Sequence, residues 1–387
     1  MVDSRSARSF EALEDVISGP MKVNLEAETY FRELSSGIFF SPQPSLARIM
    51  DLSLVSPMVE GVVGNVSTVA DAQNVSWQLS GHSGEVFACD FSRSGEFVAS
   101  SGFDRTILLW NVHQGFVNFS ELRGHTNAVV QVKWCVSDQT KILSASADKS
   151  LCWWDAVEGE RIKRLKGHSS IVNCCAIAKS GPALGFSGAD DGTVKVWDMR
   201  ERSCVGTFEH SYQILSVDTS ESGDRIFAGT IDDSVLVLDA RKLDSPLETL
   251  SAPEMDSVTG LAVSNDGDSL LSLSMNGTAH LWDVRPFCES EERCVYTYSR
   301  ISNNFDWNLL RIHWSPDDLC FSVGSGDKAV GIHKVRPGMD DMDSLICMLP
   351  GHKGTVHEAI FHPEERYAVL SASSDRSLAY GPVPADQ

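Results

Sequence analysis

The sequence predicts an all-β protein, a ring of seven four-stranded blades preceded by an irregular N-terminal extension. Three observations predict it. Gly-His pairs begin at Gly81, Gly124 and Gly167, so the first units repeat every 43 residues. Each pair is followed by four short runs of alternating apolar residues, separated by Gly, Asp, Ser or Asn turns, the pattern of half-buried strands. Finally, 42% of the 387 residues are apolar, enough to bury a full core.

In chain order, residues 1–73 do not follow the repeat. They mix a short helical stretch (Phe10–Ile17), Pro/Ser turns (Ser41–Ser45) and the apolar runs Gly37–Phe40 and Leu52–Val63. This part is read as a largely irregular extension, and residues 74–387 as the ring. Ser76–Leu79 precedes the first full unit and is expected to supply the outer strand of the last blade. Closure matters because an open ring exposes a sheet edge that pairs with other chains. The first three units, GHSGEVFACDFSRSGEFVASSGFDRTILLWN, GHTNAVVQVKWCVSDQTKILSASADKSLCWWD and GHSSIVNCCAIAKSGPALGFSGADDGTVKVWD, carry the period and signature of a WD-repeat (WD40) β-propeller.

Within these units the spacing predicts a hydrogen-bonded chain from Trp indole to Ser hydroxyl to His to Asp. Its members are His82, Ser100, Asp104 and Trp110 in blade 1, and His125, Ser144, Asp148 and Trp154 in blade 2. Blade 3 repeats it with His168, Ser187, Asp191 and Trp197. Each neutral bond contributes about 0.5–1.5 kcal/mol net and each bond to a carboxylate about 1.5–3 kcal/mol. The pattern then decays. Blade 4 keeps His210 and Asp232 but has Ala228 and Leu238 at the Ser and Trp positions. Blade 5 keeps Ser272 and Trp282, with Glu254 and Asn276 substituted. Blade 6, starting near Phe305, keeps Asp327 alone, with Val323 and His333 substituted. Blade 7 keeps His352, Ser371 and Asp375 but has Gly381 for Trp. The first three blades are expected to be the stiffest.

No catalytic, cofactor or metal chemistry is expected. The His–Asp–Ser sets resemble a hydrolase triad, but each Asp lies in a turn, a Trp completes each set, and the set recurs. The glycines of VGSGDKAVG have the wrong spacing for a phosphate loop. His352, His357 and His362 are five apart and cannot all face one side of a strand. The loop Pro337–Ser344 holds three Asp but lacks the ligand ladder and turn glycine of a calcium loop. No apolar run reaches the length of a membrane span, and the N-terminus does not read as a secretory signal. The ten cysteines include no C-x-x-C pair and read as reduced core thiols. The net charge of −21 disfavours nucleic acid, since phosphate binding is driven by Lys and Arg, and makes any RNA association indirect. Arg161–Lys166 (RIKRLK) is the densest basic run and reads as a solvated outer strand.

That leaves protein partners. The top face, formed by the turn between inner strands and the loop leading into each blade, is expected to carry Glu85, Phe103, Arg105, Lys149, Tyr212, Phe305, Trp307 and Arg376. Large aromatics with Arg are common interface anchors.

The segments GFDRTILLWN, GERIKRLKGH, SGADDGTVKVWDMR, DSVTGLAVS, LWDVRPF, ERCV, NLLRIHWSPDD, LPGH and SASSDRSLAYG occur in that order. Together they resemble the family of WD-repeat subunits of the spliceosomal U5 small nuclear ribonucleoprotein (U5 snRNP), across about four-fifths of the chain. The resemblance implies a non-enzymatic scaffold in the nucleus, held against the large U5 scaffold protein and engaged in pre-mRNA splicing. This chain departs from the family in lacking the terminal Trp-Asp of blades 4 and 6 and in the character of its extension. A second resemblance comes from a different class. WDMR (Trp197–Arg200) and WDVR (Trp282–Arg285), with a relic ending at Arg241, are similar to the W-D-x-R box of substrate receptors for cullin-type ubiquitin ligases. That resemblance implies Arg200 and Arg285 as adaptor contacts.

Overall fold

The computed structural model describes residues 65–71, 74–201, 203–287, 292–299, 301–302, 308–336, 344–365 and 367–383. The helical stretch expected at 10–17, the apolar runs before residue 64 and most of the acidic loop 337–344 lie outside the described residues. Among the described residues all regular structure is β. Seven antiparallel sheets follow one another, and six have four strands ordered in sequence from the centre outwards. In blade 1, for example, the strands a to d are Val86–Phe91, Phe97–Gly102, Thr106–Asn111 and Val117–Arg123.

The burial pattern explains this arrangement. Strands b and c are covered on both faces, as in Phe97–Gly102 and Thr106–Asn111, where every residue is buried. Strand d borders solvent and carries exposed residues, as in Cys204–Glu209. Apolar side chains of one blade pack against those of the next. Ala99, Ile107 and Leu109 of blade 1 share a cluster with Val132, Ile142 and Trp154 of blade 2. Another cluster joins Val98 and Trp110 to Leu370 and Tyr380 of blade 7, across the point of closure.

Closure follows the expected route with one addition. Asn74–Ser80 pairs antiparallel with Ser377–Pro382, the third strand of blade 7. The preceding segment Asn65–Asp71 then folds back on Asn74–Ser80 in full register, from Asn65 opposite Ser80 to Asp71 opposite Asn74. Blade 7 thus has five strands. The extension, read as largely irregular, thus contains the strand Asn65–Asp71. NVSTVAD has the β-branched alternation a strand needs, and two residues separate it from its partner, the usual length of a hairpin loop.

Strand a of six blades carries a register shift after its first residue, as between Val86 and Ala88 or Val356 and Glu358. Blade 6 has a three-residue strand a, Ile312–Trp314, with no shift. A bulge leaves one residue out of the ladder and increases local twist, which turns the bulged carbonyls of blades 3 to 5 towards the channel.

Candidate interaction surfaces and the residues that hold them

The Trp–Ser–His–Asp chain is present in three dimensions in blades 1 to 3. In blade 2, Trp154 Nε1 donates to Ser144 Oγ at 2.7 Å, Ser144 Oγ lies 2.7 Å from His125 Nε2, and His125 Nδ1 lies 2.9 Å from Asp148. A carboxylate only accepts, so His125 donates from Nδ1 and its Nε2 accepts from the serine. Blades 1 and 3 repeat these contacts within 3.2 Å. Asp148 also accepts from the Thr126 amide and from Arg164, a member of the basic run. Burial alone would raise the pKa of Asp148. Its hydrogen bonds, led by His125 and Ser150, reverse that and hold it well below the usual carboxylate range. The glycine of the Gly-His pair has a steric reason: a Cβ at Gly124 would sit 3.1 Å from the Trp154 ring, and one at Gly167 equally close to Trp197.

In blade 4 the buried Ser–Trp bond is lost from both sides. Blade 4 replaces both Ser and Trp by apolar residues, and Ala228 and Leu238 are fully buried. Replacing both partners of a buried hydrogen bond is nearly neutral, whereas losing one strands the other. In blade 6, Val323 stands opposite Gly331, and the His333 ring stacks on Phe321 at 5.2 Å. Blade 5 keeps the bond from Trp282 to Ser272 at 2.9 Å and places His280, fully buried, beside the indole. In blade 7, His352 contacts Asp375 at 3.0 Å and Ser371 at 2.8 Å. The space beyond Gly381 is taken by the closing strand, since a Cβ there would lie 3.3 Å from Ser76.

The central channel holds a set of charges that sequence reasoning missed. Arg311, just before strand a of blade 6, is 5% exposed. Its guanidinium donates to the carbonyls of Asn173, Leu215 and Thr259, the bulged residues of blades 3, 4 and 5. Its own amide donates to His357 O of blade 7. Glu358, fully buried, lies 2.7 Å from His313 Nε2 and 3.5 Å from Lys133 Nζ, and accepts from the Cys89 amide. Burial pushes its pKa up, but Lys133, His313 and Arg311 together bring it down to about 2. Side chains on strand a also satisfy backbone amides of the next blade: Asp90 that of Trp134, Gln131 that of Cys175, Asp218 that of Val263. These charges bond to one another and to backbone, so they tie neighbouring blades together around the channel. Of the segments singled out in the sequence, NLLR contains Arg311, but four letters reveal nothing about three carbonyls in other blades.

At the top face, the Phe103 amide donates to Glu85 O. Phe103 is 46% exposed, with its ring edge-on to Phe87, and Tyr212 is 53% exposed. Arg105, Lys149 and Arg376 are exposed and occupy left-handed turn positions. Partial burial raises the pKa of Glu85, and the charge of Arg376 opposes that rise. Phe305 and Trp307 lie outside the described residues. On the opposite face, Arg200 forks onto Asp198, with Nε to Oδ1 at 2.9 Å and Nη2 to Oδ2 at 2.6 Å. Arg285 makes the same fork with Asp283. Each is an ion pair within its own turn. His352, His357 and His362 are separately engaged, by Asp375, by the ring of Phe87 and by Gly95 O. The described residues contain no group of side chains arranged for a metal ion. The basic run is spent locally: Arg161 on Gly124 O, Lys163 on Met199 O and Arg164 on Asp148. Cys89, Cys135, Cys152, Cys174 and Cys175 are buried free thiols, and burial pushes those of Cys152 and Cys174 up to about 12.

Comparison with known proteins agrees with this architecture. Residues 73–111, 117–155, 159–198, 202–239, 244–283 and 343–379 match the family described as WD domain, G-beta repeat. The unmatched stretch between 283 and 343 contains most of blade 6, where the hydrogen-bonded chain is lost. The human U5 small nuclear ribonucleoprotein 40 kDa protein is 43% identical over 305 residues, covering 79% of this chain and 83% of that protein. The Dictyostelium discoideum protein of the same name is 39% identical, over 79% of this chain and 84% of its own length. Pre-mRNA-splicing factor cwf17 of Schizosaccharomyces pombe is 36% identical over 334 residues, covering 86% of this chain and 94% of its own. The chain belongs to the WD-repeat family, in the group that contains the U5 small nuclear ribonucleoprotein 40 kDa proteins and cwf17.

Proposed function

We propose that the protein is a non-enzymatic, nuclear scaffold of the U5 snRNP in pre-mRNA splicing, docked on the large U5 scaffold protein through the top face of its propeller. The observation that carries this reading is the similarity to splicing proteins over about four-fifths or more of the chain and of each relative. The structure adds a closed ring of seven blades, tied together around the channel by Arg311, Lys133 and Glu358. Phe103, Tyr212, Arg105 and Arg376 supply aromatic and Arg anchors on one face. RNA association then runs through protein partners, because the chain carries a net charge of −21.

The test is a tagged purification from nuclear extract with a nuclease step. U5 RNA and the large scaffold protein should be recovered, and the protein should survive nuclease treatment. The double variant Phe103→Ala/Trp307→Ala should fold and lose that partner; undiminished recovery would remove the top face from the proposal. Recovery of a cullin and its adaptor without small nuclear RNA would turn attention to Arg200 and Arg285.

A further inference from the structure

The turn between strands b and c places one residue per blade in the left-handed region, and the seven equivalents are Arg105, Lys149, Gly192, Asp233, Gly277, Lys328 and Arg376, with φ between 64° and 81°. Glycine is the residue this conformation favours, and blades 3 and 5 have it. Long side chains are uncommon there. Four blades nevertheless carry a cation, and these are not scattered. Blades 6, 7, 1 and 2 are consecutive around the closed ring, since strand a of each packs on the next. Lys328, Arg376, Arg105 and Lys149 therefore form an arc over one half of the top face, and all four are exposed. Lys353, also exposed on a loop entering blade 7, adds to it.

The other half has no cation at this position. Blade 4 has Asp233 at the equivalent position beside Asp232, with Asp256 near enough that the two carboxylates raise the Asp233 pKa after burial has done so. Blade 3 adds Asp190, which accepts from Asn173; the neighbouring Asp191 has its equivalents in Asp104, Asp148 and Asp375 of the other half. The left-handed position is thus cationic over blades 6, 7, 1 and 2 and Gly or Asp over blades 3 to 5, and each cation follows a turn Asp that in blades 1, 2 and 7 is bonded to its His. A chain with 53 acidic and 32 basic residues has placed cations at four adjacent sites where glycine is the unstrained choice.

We propose that this arc binds an extended acidic segment of a protein partner. The cations lie one per blade, so an extended peptide crossing these blades meets them in turn, and Phe103 on blade 1 offers an exposed ring to an apolar side chain within it. A protein segment fits better than RNA. Single-strand nucleic-acid binders present a run of stacking aromatics, whereas Phe103 is a single ring on the described turns of these four blades. The inference rests on the scaffold reading for the partner's identity but not for its chemistry.

The test uses the full chain and two labelled probes, a glutamate-rich peptide containing one Trp and an oligouridylate. The quadruple variant Arg105→Gly/Lys149→Gly/Lys328→Gly/Arg376→Gly removes the arc while relieving the backbone, so it should fold with an unchanged or higher Tm. It should bind the peptide at least about tenfold more weakly, the order expected from several exposed ion pairs together. A control variant removes the same charge from the opposite face, through Arg93→Ala, Arg241→Ala, Lys242→Ala and Arg336→Ala, and should bind as the parent does. Equal loss in both variants, or tighter arc-dependent binding of the oligouridylate, would overturn the proposal. Co-purification with the quadruple variant separates this inference from the scaffold reading. If the U5 partner is recovered normally and the peptide never binds, the arc proposal fails and the scaffold stands. If the parent binds peptide through the arc but recovers no U5 component, the arc stands and the scaffold fails.

Discussion

Trp154 shows what one position in the repeat contributes. It is 1% exposed, its single polar atom is satisfied by Ser144, and its ring packs in the cluster shared by blades 1 and 2. Trp154→Ala should therefore destabilise the ring by about 3–5 kcal/mol, the range for an aromatic truncated to Ala in a packed core. A melting temperature within error of the parent would contradict the blade assignment. His357 makes a different prediction. It is buried at the bulge of blade 7, its ring is edge-on to Phe87, and burial followed by the charge of Arg311 lowers its pKa from 6.5 to about 4. The folded state then binds fewer protons than the unfolded one between those values. Its contribution is complete above about pH 6.5 and is lost as pH falls towards 4, at up to about 1.4 kcal/mol per pH unit. Replacing it, as in His357→Leu, should flatten the fall in stability across that window in urea titrations, and an unchanged slope would show that His357 is not responsible. Below that range the low pKa of Glu358 continues the same trend, because its stabilisation is lost as pH drops through 4.5 towards 2.

At the scale of strands and blades, the sequence is legible wherever local chemistry repeats. The His, Ser, Asp and Trp of blades 1 to 3 can be read because a turn and its supporting hydrogen bonds need the same residues at the same offsets each time. Blade 6 is hard to read for the converse reason: with no Trp–Ser pair to mark them, Cys320–Gly324 and Ala329–Lys334 are specified by burial alone. The strand Asn65–Asp71 escaped notice because it belongs to no repeat and, beyond its hairpin partner Asn74–Ser80, joins a sheet whose other three strands are nearly three hundred residues away. Its position gives a clear prediction. Deleting residues 1–72 leaves Asn74–Ser80 to close blade 7, with Leu79 buried at 1%, so Tm should fall by only a few degrees. Deleting through residue 80 removes the closing strand, exposes the edge of Ser377–Pro382 and should give a protein that aggregates. Identical behaviour of the two truncations in light scattering would show that ring closure does not depend on Asn74–Ser80.

Over the whole molecule, the features that sequence conceals are those assembled from distant segments. Arg311 reaches carbonyls 138, 96 and 52 residues away, and the basic arc emerges only when blades 6 and 7 are brought beside blades 1 and 2. Long-range charge governs the molecule in the same way. Exposed carboxylates outnumbering cations repel one another in the compact state, an effect that dissolved salt screens within about 10 Å at 0.1 M. The pairs at the channel join fully buried Glu358 to partly buried Lys133 and His313 and are screened less. Raising NaCl from about 0.02 to about 0.3 M should therefore raise Tm, since the repulsion weakens while the central bonds persist. Binding of an acidic segment to Lys328, Arg376, Arg105 and Lys149 runs the other way, because salt screens attraction between exposed opposite charges. The two responses should have opposite signs in one protein, measured by thermal melts and by peptide titration over the same salt series. A Tm that falls with salt would mean that surface ion pairs such as Arg200 with Asp198 outweigh the acidic excess. Peptide affinity that ignores salt would mean that contacts at Phe103, not the arc, carry the binding.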